Sequence, residues 1–179
     1  TVACKFNLEM CLSESIVRIA EKVRPDQVTL VPENRAELTT EGGLDCVANK
    51  RRLAAITQRM HKKGILVSTF ILPDEKQIMA TAEAGCDAVE LHTGRYANAA
   101  TDSLIEKRLN ELRDARDIAD AAGLVVHAGH GLTYRNIRPV AAIRGLCEFN
   151  IGHSIISRAV LVGIGRAARE MKQLIEQSF

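Results

Sequence analysis

The chain has 179 residues, enough for one domain with a substantial core, and with 46% apolar residues, no Trp and few Tyr or Phe that core has to be aliphatic. The formal net charge of +2 argues against a nucleic-acid protein that works by neutralising phosphates, and no apolar run approaches the roughly 18 to 20 residues of a membrane span. No basic leader with an apolar stretch and a small-residue cleavage site is present, so a cytoplasmic location is expected.

In chain order, short apolar runs alternate with longer helical patterns. The first strand is predicted over Val2 to Glu9, so the chain opens inside a strand and something upstream is expected to be missing. A helix follows from Ser13 to Val23, stopping before Pro25, and then a strand over Gln27 to Val31. Asp45 to Lys63 reads as a helix with Leu53, Ile56 and Met60 on one face and Gly64 just past its end. A strand over Ile65 to Ile71 leads to a helix from Asp74 to Ala84, ended by Gly85, and a strand over Ala88 to His92. The helix from Asp102 to Ala122 aligns Ile105, Leu109, Leu112, Ala115, Ala119 and Ala122, and Gly123 follows as a C′ residue. Strands over Leu124 to His127 and Leu146 to Ile151 flank a short helix after Tyr134, and Ser154 to Glu176 reads as two helices broken near Gly163-Ile164-Gly165.

Most of these strands are near-continuously apolar, as strands buried on both faces should be. Six βα units in strict alternation imply a parallel sheet with right-handed crossovers, in a single α/β domain over residues 1–179. An open doubly wound sheet and a closed (β/α)8 TIM barrel are the two candidates. The polar residues that interrupt the strands decide between them. Asn7 and Glu9 end the first strand, and Glu90 and His92 the fourth; His127 and His130 follow the fifth, and Asn150 and His153 the sixth. All belong at the C-terminal edge of the sheet, and positions spread over four strands converge only if the sheet closes. A barrel usually takes about 250 residues. The chain is therefore expected to hold six of eight units.

The segments His127-Ala128-Gly129-His130-Gly131 and Asn150-Ile151-Gly152-His153 read as two loops that hold a phosphorylated small molecule. Glycine lets backbone N–H groups approach a ligand, and the second segment runs into a helix N-terminus. Barrel phosphate sites often lie after strands seven and eight. If these are those loops, the missing units are the first two. Histidines at one rim raise the question of a metal, but none pairs at a helical ligand spacing, so neither a metal nor a cofactor is expected. Cys4, Cys11, Cys46, Cys86 and Cys147 are widely spaced and odd in number, and read as free thiols in a reducing compartment. Lys50-Arg51-Arg52 reads as a solvated helix face. Gly163-Ile164-Gly165-Arg166-Ala167-Ala168 matches a dinucleotide pattern but leaves no room for a ribose-binding acid, and reads as a helix break.

Six motifs occur in order: Asn7-Leu8-Glu9-Met10; Pro25 to Glu33; Thr39-Thr40-Glu41-Gly42-Gly43-Leu44-Asp45; Glu90-Leu91-His92-Thr93-Gly94-Arg95-Tyr96; and the two glycine-containing segments above. In these the whole chain resembles the pyridoxine 5′-phosphate synthase family. The resemblance implies a TIM barrel that condenses 3-amino-2-oxopropyl phosphate with 1-deoxy-D-xylulose 5-phosphate, giving pyridoxine 5′-phosphate, phosphate and water. It implies Glu9 as a general base, His130 as proton donor and Glu90 as stabiliser of charged intermediates. It further implies that Thr39 contacts the deoxyxylulose phosphate, that Gly131, Gly152 and His153 bind the aminoketone phosphate, and that the protein assembles as a homo-octamer. Burial is expected to raise the pKa of Glu9, while Glu90 is expected to stay charged, and Gly42-Gly43 to let a loop fold over the site.

Complete family members carry a second catalytic His and further Asp and Arg contacts in two earlier units, so the 179-residue chain by itself is expected to be inactive or poorly soluble. Two other readings are an aldolase or isomerase on a phosphate-binding barrel, weakened because Lys5 is the only strand Lys and lies mid-strand, and a non-catalytic fragment that only joins an oligomer.

Overall fold

The structure, a computed structural model, describes residues 3–32 and 42–178. Six parallel strands run in the order β1-β2-β3-β4-β5-β6: β1 Asn7–Met10, β2 Gln27–Leu30, β3 Leu66–Ile71, β4 Ala88–His92, β5 Val125–Gly129 and β6 Leu146–Asn150. Helices α1 Glu14–Val23, α2 Lys50–His61, α3 Glu75–Glu83, α4 Gly94–Ala97, α5 Asp102–Ala121, α6 Ile137–Ala141, α7 His153–Val162 and α8 Ile164–Glu176 complete the alternation.

The sheet is curled. Lys5 Nζ, just before β1, lies 2.9 Å from Glu148 Oε2 in β6. In an uncurled sheet with strands about 4.8 Å apart, those strands would be separated by about 24 Å, beyond the reach of two side chains. The architecture is therefore an open (β/α)-barrel of six strands rather than a doubly wound sheet.

Two faces of the sheet differ sharply. Outward-facing Val28, Leu30, Val67, Ile71, Val89, Leu91, Val126 and Ala128 form the core with Val17, Leu53, Met60, Ile78, Leu109, Leu112, Ile137 and Met171 of the covering helices. The register puts Glu9 beside Thr29, Thr29 beside Ser68, and Phe70, Glu90, His127 and Glu148 side by side. With side chains alternating along each strand, the concave face is polar. Barrel interiors are usually packed with Val, Ile and Leu; here Thr29 Oγ1 donates to Asn7 Oδ1 at 3.0 Å and Lys5 pairs with Glu148.

Helix ends follow local chemistry. Asp74 and Thr101 cap α3 and α5 by accepting from Gln77 N and Leu104 N. Gly123, at φ 79°, turns the chain out of α5. α1 ends at Val23 with Arg24 at φ 53°, ahead of Pro25. α2 begins later than the apolar pattern suggests because Asp45 Oδ1 accepts from Ala48 N and holds residues 46–49 in turns. β1 begins only at Asn7, since Phe6 N is taken by Asp26 Oδ2 at 2.7 Å. α7 and α8 part at Gly163, so the glycine-rich run there breaks a helix and follows no strand. All five cysteines are free; Cys46 and Cys86 are buried, and burial pushes the Cys86 thiol up to about 12.

Candidate active site

A cavity of about 940 Å³ opens at the C-terminal edge of the strands. Its lining includes Glu9, Glu90, His130, Gly131, Gly152 and His153, so every described candidate residue faces one space. Thr39 lies outside the described residues.

Each wall has a local cause. The strand ends β1 and β4 deliver Glu9 and Glu90. β5 runs two residues further than its apolar run, through Gly129, so the loop proper begins at His130. Gly129 is where the sheet makes room: a Cβ there would lie 2.0 Å from Glu90 Oε1. Asn150 Nδ2, from the end of β6, donates to Glu90 Oε2 at 2.7 Å. His130 follows at φ 76° and Gly131 at φ 75°. α7 starts at His153, and Ile151, Gly152, His153, Ser154 and Ser157 present its N-terminus to the cavity, an arrangement suited to an anion.

The carboxylates reverse the expected burial. Glu90 is 4% exposed, and loss of hydration pushes its pKa up to about 7, against the opposing hydrogen bond from Asn150. Glu9 is exposed. In this structure Glu9 is exposed on β1 and Glu90 is buried on β4, which has strands on both sides, the reverse of the burial expected.

Of the four rim histidines, His130 and His153 line the cavity, while His92 and His127 sit behind it. His127 is 2% exposed, its Nδ1 has no hydrogen-bond partner, and Glu148 Oε1 is 3.8 Å away, too far for one. Burial lowers its pKa, partly offset by Glu148. His92 stacks on His130 with centroids 4.5 Å apart.

Phe70, Leu132, Thr133, Asn150 and Ser157 also line the space. Ser157 stands one turn after His153, a spacing that marks it in the sequence. Gly43, expected to supply lid freedom, instead packs closely, since its Cβ would lie 2.3 Å from Ile71 Cα.

Comparison with known proteins identifies the family. The family model described as pyridoxal phosphate biosynthesis protein PdxJ matches residues 1–177. A pyridoxine 5′-phosphate synthase of Syntrophotalea carbinolica is 55% identical over 175 residues, covering 98% of this chain and 73% of the relative. A protein of the same description from Coxiella burnetii is 52% identical over 170 residues, covering 95% and 71%. Among solved structures, the Amycolatopsis orientalis BexX/CysO complex aligns with TM-score 0.61 at 15% identity, covering 95% of this chain and 66% of that one. A xylose isomerase domain protein from Planctomyces limnophilus aligns with TM-score 0.56 at 13% identity, covering 91% and 71%. These structural likenesses speak to the fold alone.

Proposed function

The chain belongs to the pyridoxal phosphate biosynthesis protein PdxJ family, and from that premise we propose how its cavity works as a pyridoxine 5′-phosphate synthase. The reaction joins 3-amino-2-oxopropyl phosphate to 1-deoxy-D-xylulose 5-phosphate and releases phosphate and water as the pyridine ring closes. The observation that carries the reading is the single cavity shared by Glu9, Glu90, His130, Gly131, Gly152 and His153.

Each chemical step moves a proton. Amine addition to a ketone, loss of water, loss of phosphate and ring closure need a base and an acid on the same substrate. Glu9, exposed to the cavity, is the base, and His130, held at the loop tip, is the proton donor. Gly131, Gly152 and His153 take the phosphate of the aminoketone, helped by the partial positive charge at the start of α7. The other phosphate is assigned to Thr39, outside the described residues, on the family resemblance.

Glu90 acts through its environment. A pKa of about 7 leaves it divided between two protonation states at neutral pH. A cationic iminium within about 4–6 Å favours the charged form. The carboxylate then ionises as the cation develops, which concentrates its stabilising effect on the intermediates rather than on the free enzyme.

No described helix is long and apolar enough to cross a membrane. We further infer a single catalytic domain that works in the cytoplasm as a homo-octamer without a metal or cofactor. The test mixes the two phosphorylated substrates with the full-length protein, including the two earlier βα units, and follows pyridoxine 5′-phosphate; no product with both substrates saturating would overturn the reading.

A further inference from the structure

His130 sits in a backbone conformation that non-glycine residues rarely adopt, φ 76°. Such a conformation persists where the surroundings over-determine it. The surroundings here are His92, the last residue of β4, and the two residues that follow it, Thr93 and Gly94. Thr93 N and Thr93 Oγ1 both donate to Gly129 O at 2.8 Å, and the same hydroxyl reaches His130 O. Thr93 thus grips the peptide on each side of His130.

The ring is gripped as well. The imidazoles of His92 and His130 lie 4.5 Å apart and 28° from parallel, with Phe70 5.0 Å from His92 and 6.3 Å from His130. That separation is the near end of stacking geometry. Gly94 gives both rings their room: a Cβ there would lie 2.4 Å from His92 Cε1 and 3.3 Å from His130 Cδ2. His92 is itself locked. Gly94 N donates to its Nδ1 at 3.0 Å, so Nδ1 is the acceptor and the ring proton of neutral His92 is on Nε2. The donor is the first residue of α4, which is anchored in turn by Tyr96 Oη donating to Asn136 O at 2.7 Å.

We propose that His92 is a positioning residue for the ring-closing reaction, its locked imidazole fixing the ring plane of His130 over the cavity. The inference rests on reading His130 as the proton donor. His92 is 5% exposed and does not line the cavity, so it acts through His130 and not on substrate.

Two variants separate its parts. His92→Phe keeps an aromatic face against His130; His92→Asn keeps an acceptor for Gly94 N but offers no ring face. We expect kcat to fall about tenfold or more in His92→Asn and by no more than about threefold in His92→Phe, with KM for both substrates within about twofold of wild type. Equal kcat in all three proteins, or a loss carried by KM alone, would overturn the proposal. Imidazole nitrogen NMR supplies a readout that needs no catalysis. Wild-type His92 should show an unprotonated Nδ1 at neutral pH, and His92→Asn should shift or broaden the His130 ring signals. A protonated Nδ1 in the wild type, or His130 signals unchanged in the variant, would overturn the proposal even if no protein forms product; absence of product in the full-length wild type, with its two earlier βα units, would count against the functional reading alone.

Discussion

Asn150 Nδ2 donates to Glu90 Oε2 at 2.7 Å, joining the ends of β6 and β4 across β5. The strand between them gives way at Gly129, where a Cβ would lie 2.0 Å from Glu90 Oε1. Gly129→Ala should therefore displace the Glu90 carboxylate and break this hydrogen bond. The expected cost is about 1–3 kcal/mol, as for other overpacked interiors. Chemical denaturation should show it, together with loss of ring closure in a protein that keeps its far-UV circular dichroism. Full activity in Gly129→Ala would mean that Glu90 need not stay where it is.

Glu90 also predicts a pH dependence of stability. Its folded pKa is about 7 against an ordinary 4.5. Between those values the unfolded chain holds fewer protons on this group than the folded one, so the contribution of Glu90 to stability is complete below about 4.5, falls as pH rises, and levels off above about 7. Glu90→Gln removes the penalty of burying the charge while keeping an acceptor for Asn150. At pH 8 it should be more stable than wild type by on the order of 1–3 kcal/mol. Denaturant midpoints should converge at pH 4.5.

His127 predicts the opposite sign. Burial depresses its pKa below 6.5, so the unfolded chain takes up protons first as pH falls. Stability is present above about 6.5 and is lost as pH drops towards the depressed value. His127→Asn should show a shallower fall in melting temperature between pH 7 and pH 5. An equally steep fall would place the acid sensitivity elsewhere.

For the reaction itself, His130→Asn and Glu9→Gln should reduce kcat by about a hundredfold or more, the scale of a lost general acid or base. His61→Asn should leave it unchanged. His61 pairs with Asp87 at 2.8 Å, just ahead of the N-terminal end of β4 and away from the cavity. Product formation from the two phosphorylated substrates by the full-length protein checks all three.

Much of this was legible in the residues. The buried strands announce themselves because both faces are covered, and β2 and β4 are buried along their whole length. Gly64, Gly85 and Gly123 mark helix ends because each has positive φ. Other features depend on neighbours that no local pattern shows. Glu9 and Glu90 look alike as carboxylates near strand ends; that Glu90 is 4% exposed while Glu9 is exposed appears only in three dimensions. α4 is four residues long, too short for a periodic signal. Gly129 reads as a loop residue, yet it belongs to β5 and its missing side chain is filled by Glu90. His92 reads as a polar residue at the end of the fourth strand; that it is buried, accepts from Gly94 N and stacks on His130 appears only in three dimensions.

The ion pair between Lys5 and Glu148 joins residues 143 positions apart. The cavity has a similar span, lined by Glu9 from the first strand and Ser157 beyond the last. Contacts of such long range form only after nearly all of the intervening chain is ordered, which makes folding slow and the final closure late. The binding cavity is therefore among the last features to appear as the protein folds, and a partly folded chain has nowhere to hold either phosphate. A phosphorylated ligand can stabilise only the finished structure, and in refolding it should slow unfolding far more than it speeds folding.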